Sequence, residues 1–155
     1  MNKILICYFS ATNTTKNVAK LVKDATNGDL FEIEPVEKYT SSDLDWNNQE
    51  SRTTLESKDE SFRPQIVDKE LNLENYDKVV IAFPVWWYKE PNIIDTFIEK
   101  YNLENKKIYV FCTSDGSTVE GSFNSLKNKY PNLDFVSGKR LSENLTKDEI
   151  LSWLM

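Results

Sequence analysis

Four stretches of the chain are short, apolar and rich in β-branched or aromatic residues: Ile4 to Phe9, Lys78 to Phe83, Lys107 to Phe111 and, more weakly, Leu133 to Val136. Runs that stay apolar at successive positions suit strands of a parallel sheet covered on both faces. Leu30 to Ile33 breaks its apolar run with Glu32, which predicts an edge strand. Helical spacing fills the intervals. Thr14 to Thr26 brings Val18, Leu21, Val22 and Ala25 onto one side, and Pro91 to Tyr101 does the same for Ile93, Ile94, Phe97, Ile98 and Tyr101. Thr118 to Tyr130 carries Phe123, Leu126 and Tyr130. Thr146 to Leu154 opens on Thr146 and Glu149 at capping-box spacing, ahead of Ile150, Leu151, Trp153 and Leu154. Pro91 suits a first helical turn.

Tyr39 to Pro64 breaks the alternation. It is polar and charged, its apolar anchors are Leu44, Trp46, Leu55 and Phe62, and it reads as a long surface excursion with a short helix around Asn48 to Ser57. Strand-helix alternation elsewhere predicts a doubly wound α/β sheet, whose ligands sit outside the carboxyl ends of the strands.

Composition narrows the class. A chain of 155 residues with 39% hydrophobic and 28% charged residues reads as one globular domain spanning 1–155. A net charge of −6 argues against a nucleic-acid binder, which needs a basic stripe to neutralise phosphates. The absence of histidine excludes Ser-His-Asp triads and imidazole zinc sites. Cys7 and Cys112 have no metal-binding or disulfide-framework spacing, and both read as buried small hydrophobes. No apolar run approaches the roughly 20 residues of a membrane span. The N-terminus reads as a first strand, in a cytoplasmic protein without membrane insertion.

Three strand ends carry the candidate chemistry. After the first strand, Ser10, Thr12, Asn13, Thr14 and Thr15 form a hydroxyl-dense turn into a helix N-terminus. Free backbone amides and the helix dipole attract an anion there, and the hydroxyls add donors for phosphate oxygens. One cap needs only one such residue. The turn matches neither the Walker pattern nor, lacking glycine, a dinucleotide fingerprint. After the third strand, Pro84, Val85, Trp86, Trp87 and Tyr88 offer a flat aromatic wall; the alternative is that one tryptophan packs into the core. After the fourth strand, Thr113, Ser114, Asp115 and Gly116 form a polar turn whose glycine permits close approach of backbone to ligand. An anion cradle, an aromatic wall and a polar wall at one sheet edge fit a phosphorylated flat heterocycle, FMN best.

SATNTTKNVA, YDKVVIAFPVWWYKEP and FCTSDGS, in that order, resemble the flavodoxin family, and more narrowly bacterial flavodoxin-like proteins with a PxWW signature. The likeness extends to Asp43-Leu44-Asp45-Trp46, Ser51-Arg52, Arg63-Pro64 and the last helix. It implies a five-stranded parallel sheet in the order 2-1-3-4-5, with helices on both faces, and noncovalent FMN. It also implies that Ser10, Thr12, Asn13, Thr14 and Thr15 hold the phosphate, while Pro84 to Tyr88 and Thr113 to Gly116 flank the ring. Two residues depart from the family pattern. Asn13 stands at the glycine of the phosphate loop, where asparagine best tolerates left-handed backbone. Tyr88 stands where relatives often carry glycine, which predicts weaker stabilisation of the one-electron-reduced flavin.

The implied function is electron transfer through FMN to redox partner proteins or small electron acceptors. An FMN-dependent NAD(P)H:quinone-type oxidoreductase is the main alternative, and a binding module that has lost FMN is another. A phosphoacceptor domain needs acidic residues after the first strand and an aspartate after the third, where Ser10 and Pro84 stand. A Cys-x5-Arg phosphatase fails because Asn13 occupies the arginine position.

Overall fold

The computed structural model describes residues 3–11, 13–45, 47–59, 61–85, 90–113, 119–142 and 144–154. Five parallel strands form one sheet: β1 (Lys3–Tyr8), β2 (Asp29–Glu32), β3 (Tyr76–Pro84), β4 (Lys107–Thr113) and β5 (Asp134–Arg140). Their spatial order is β2-β1-β3-β4-β5, so the sheet is the doubly wound arrangement expected from the sequence. Five helices accompany it: α1 (Thr14–Thr26), α2 (Arg52–Lys58), α3 (Asn92–Lys100), α4 (Glu120–Lys129) and α5 (Lys147–Leu154). A 3-10 turn, Leu73–Asn75, precedes β3.

The pleat sorts the central strands onto two cores. Ile6, Tyr8, Val80, Ala82, Tyr109 and Phe111 face α1 and α5, where they meet Val18, Val22, Ile150 and Leu154. Their neighbours Leu5, Cys7, Val79, Ile81, Phe83, Ile108 and Val110 face α3 and α4, against Ile93, Ile94, Phe97 and Leu126. Successive side chains point to opposite faces, so strands apolar at every position feed both cores. β2 is the predicted edge strand, and all four of its residues are half-buried.

Strand boundaries differ from the sequence pattern where polarity hides pairing. β5 runs on to Arg140 because Ser137 to Arg140 pair with Tyr109 to Cys112, although they are small or polar. The register slips between Ile108↔Phe135 and Tyr109↔Ser137, which leaves Val136 as a bulge, 44% exposed. α1 leaves its last turn through Asn27 at φ 56°, followed by Gly28, where a Cβ would lie 2.5 Å from the Ile4 carbonyl oxygen. Only glycine fits that approach.

The excursion after β2 is folded back on itself. Val36 N–H donates to the Gln65 carbonyl at 3.0 Å and Val67 N–H to the Glu34 carbonyl at 2.7 Å, around an antiparallel bridge between Pro35 and Ile66. Two expected anchors of this segment are not anchors: Leu55 is 54% exposed and Phe62 43%. α2 instead buries Thr53, Thr54 and Glu56. The physical reason is a set of specific polar partners. Asn92 Nδ2 donates to the carbonyls of Glu56, Asp59 and Phe62 at 2.9, 2.9 and 3.1 Å. The Glu56 carboxylate accepts from the Tyr39 hydroxyl at 2.6 Å and from Arg52 Nε at 2.9 Å. Ser51 caps the helix through Thr54 N–H. Trp46 lies outside the described residues.

No helix among the described residues is long and apolar enough to cross a membrane.

Candidate functional site

The carboxyl ends of β1, β3 and β4 are tied into one platform. Phe9 N–H continues the ladder to the Ala82 carbonyl at 3.0 Å, and Val85 N–H donates to the Thr113 carbonyl at 3.0 Å. Thr15, at the start of α1, meets Thr113 through their hydroxyls at 2.8 Å, and both are buried. The first loop and the end of β4 are therefore joined side chain to side chain, over 98 residues of sequence. Leu141 N–H bonds the Cys112 carbonyl at 2.8 Å and brings the exit from β5 to the same edge.

The turn from β1 into α1 has the features an anion needs. Asn13 adopts φ 71° and ψ −9°, the left-handed conformation expected for it, and its carbonyl accepts from Asn17 N–H at 2.9 Å to open the helix. Its side chain makes no capping bond, and the first turn holds no acidic residue. The first amides of α1 thus keep their donor capacity, and the helix dipole places partial positive charge there. Ser10 Oγ is buried with no hydrogen-bond partner among the described residues. A buried hydroxyl left unpaired costs about 1–3 kcal/mol, so this position calls for an oxygen-rich guest. The residues fit a phosphate group.

Of the residues singled out in the sequence, Ser10, Asn13, Thr14, Thr15, Pro84, Val85 and Thr113 converge on this edge. Thr14 is exposed, Pro84 and Val85 are half-buried, and Val85 also packs against the core. Thr12, Trp86, Trp87, Tyr88, Ser114, Asp115 and Gly116 lie outside the described residues. Cys112 is fully buried, and burial pushes its thiol up to about 12, against a smaller downward pull from Arg140. Cys7 is buried as well, and its thiol is pushed up by the same cause. Neither is a nucleophile at neutral pH.

Two polar clusters near the edge were not read from the sequence. One is the Tyr39–Arg52–Glu56 web. Tyr39 lies edge-on to Phe9 with ring centroids 5.6 Å apart, and the Arg52 guanidinium stacks 3.8 Å from the Tyr39 ring centre. Burial, then the Glu56 hydrogen bond, raises the Tyr39 phenol, and burial raises the Glu56 carboxyl. The web borders a groove of about 870 Å³ whose walls include Val36, Leu55, Phe62 and Arg63. The other cluster joins Glu90 and Asp95 to Lys129. Asp95 falls between Ile94 and Phe97 on the apolar stripe of α3, and a charged residue in that position was the available signal.

Residues 3–155 match a protein-family model described as Flavodoxin. Among solved structures, the chain is 44% identical to a Bacteroides eggerthii protein assigned as a flavoprotein, with a TM-score of 0.95, covering 99% of this chain and 96% of that one. A Bacteroides uniformis protein with the same assignment is 38% identical, with a TM-score of 0.93 and coverage of 99% and 97%. A Lactobacillus acidophilus flavoprotein solved in complex with FMN shares the fold at a TM-score of 0.77 and 20% identity, over the whole of both chains. No curated protein matches the chain.

Proposed function

The chain belongs to the flavodoxin family, and from that premise we propose that it binds FMN noncovalently and carries electrons through it. The observation that carries this reading is the buried Ser10 Oγ, without a partner among the described residues, beside left-handed Asn13 and the start of α1, which has no side-chain cap. In this reading Ser10, Thr12, Asn13, Thr14 and Thr15 receive the phosphate, while the segments after β3 and β4 border the ring, Pro84 to Tyr88 on one side and Thr113 to Gly116 on the other. Bound FMN supplies the electron chemistry, and the protein supplies orientation and electrostatics. The Thr15–Thr113 hydroxyl pair keeps the phosphate turn in register with the ring wall. The FMN complex of the L. acidophilus relative supports the choice of flavin. Partners are redox proteins or small electron acceptors, met in the cytoplasm.

A second reading is an FMN-dependent oxidoreductase taking electrons from NAD(P)H to quinone-type acceptors, for which the groove lined by Val36, Arg52, Glu56 and Arg63 is the candidate acceptor site.

The test is the visible spectrum of the purified protein and titration of the stripped chain with FMN. We expect a yellow protein that releases FMN. Ser10→Ala together with Thr15→Val should weaken FMN binding at least tenfold while leaving riboflavin, which lacks the phosphate, much less affected. A colourless protein that ignores added FMN overturns the proposal. Steady-state NAD(P)H oxidation with and without added redox proteins separates shuttle from reductase.

A further inference from the structure

The groove beside α2 is where the molecule shows apolar side chains to solvent. Val36, Leu55, Phe62 and Val136 are the large hydrophobics exposed among the described residues, and the first three line this one groove of about 870 Å³. Single exposed apolar residues are ordinary, but several gathered behind a polar rim mark a site of contact. The walls are fixed before any guest arrives. Val36 is pinned by its N–H bond to the Gln65 carbonyl at 3.0 Å, and Asn92 Nδ2 holds the carbonyls of Glu56, Asp59 and Phe62. A surface already ordered keeps more of its contact energy for binding.

The rim sets the charge of the guest. Among the described residues, five carboxylates and two guanidiniums line the groove. Acids already engage both guanidiniums: Arg52 Nε meets Glu56 at 2.9 Å, and Arg63 Nε meets Glu99 at 3.0 Å. Glu37, Asp43, Glu50 and Asp59 form no ion pair among the described residues. Glu37, Glu50 and Asp59 are exposed besides. Four such carboxylates around an apolar floor attract cations. A bare metal ion does not answer, because no group of three acids among the described residues is placed to hold one, and the floor would stay wet. A neutral flat acceptor answers the floor alone; it takes water from the carboxylates and returns no charge. Apolar side chains beside lysine or arginine answer both, since the long basic stems cover apolar surface while their heads reach the rim.

We propose that the groove docks a segment of a partner protein in which apolar side chains are flanked by lysine or arginine. The apolar chains sit on Leu55 and Phe62, and the cations sit beside Glu37, Glu50 and Asp59. None of Ser10, Asn13, Thr14, Thr15, Pro84, Val85 and Thr113 lines the groove, so this docking surface does not depend on the FMN reading.

The test is selection of a displayed library of random peptides on the immobilised full chain, followed by fluorescence anisotropy of the synthesised hits. Recovered peptides should carry apolar residues flanked by lysine or arginine. Leu55→Ser with Phe62→Ser should weaken their binding about tenfold, as loss of a central anchor does. Glu37→Gln with Glu50→Gln and Asp59→Asn should weaken it by a similar factor. Added salt should weaken binding to wild type more than to the carboxylate variant, because screening acts on the charges that variant lacks. All five positions are exposed, so melting temperatures should move no more than for ordinary surface changes. Should Phe62→Ser lower the melting temperature, Leu55→Ser alone carries the apolar arm. Failure to enrich any peptide, hits without basic residues, or hits that bind both variants as tightly as wild type overturn the proposal. A water-soluble benzoquinone whose binding is lost in the apolar variant and kept in the carboxylate variant overturns it in favour of a small-molecule site. A wild-type dimer in sedimentation equilibrium that the apolar substitutions dissociate overturns it in favour of a second copy of this chain.

Discussion

Helices α2 and α3 are neighbours built on opposite plans. α3 buries Ile93, Ile94, Phe97 and Ile98 against the sheet, and the Phe97 ring packs at a tilt against both Phe31 and Tyr101. Its stripe carries its own instructions, because apolar area removed from water stabilises whatever surface covers it. α2 turns Thr53, Thr54 and Glu56 inward and leaves Leu55 in solvent. It is seven residues long, too short to stand alone, and it is held where Asn92, Tyr39 and Arg52 satisfy its buried polar groups. The lesson is that an apolar stripe can be read without knowing the partner, whereas a polar contact exists only once both sides are placed.

The comparison can be broken most sharply at Phe97. Phe97→Ala empties a fully buried ring position and should cost about 3–5 kcal/mol in denaturant unfolding, with loss of the whole cooperative transition rather than of one segment. Asn92→Ala strikes the seam between the two helices. Releasing three carbonyls should cost about 1–3 kcal/mol, and amide exchange should speed up across 52–63 while the strands stay protected. A global loss as large as that of Phe97→Ala would contradict the assignment of α2 to local polar clamps. Leu55→Ser should change stability by less than about 0.5 kcal/mol, the ordinary range for an exposed position. A large loss in thermal unfolding would show that Leu55 is an anchor after all.

The same division explains what the sequence disclosed. α1 was legible from Thr14 to Thr26 because Val18, Val22 and Ala25 recur at helical spacing, and β1, β3 and β4 because their apolar runs feed two cores. The left-handed backbone at Asn13 was foreseeable from residue chemistry, since asparagine tolerates that conformation. The far half of β5 was hidden, because Ser137 and Gly138 announce nothing until β4 lies beside them. Of the Glu90–Asp95–Lys129 cluster the sequence showed only Asp95 on the apolar stripe of α3: its members are 5 and 34 residues apart, and nothing in the order of residues brings the last turn of α4 against the start of α3. The Ser10, Asn13 and Thr15 turn was read from its density of hydroxyls; the Thr15–Thr113 bond that fastens it was not.

The clasp formed by Glu34, Val36, Gln65 and Val67 has a further consequence. It brings the two ends of the intervening segment to within hydrogen-bonding reach, so the closure entropy of that segment depends only weakly on its length. Changes of length at its exposed turns therefore add little closure entropy, provided that Tyr39 stays on Phe9 and Asn92 keeps the carbonyls of Glu56, Asp59 and Phe62.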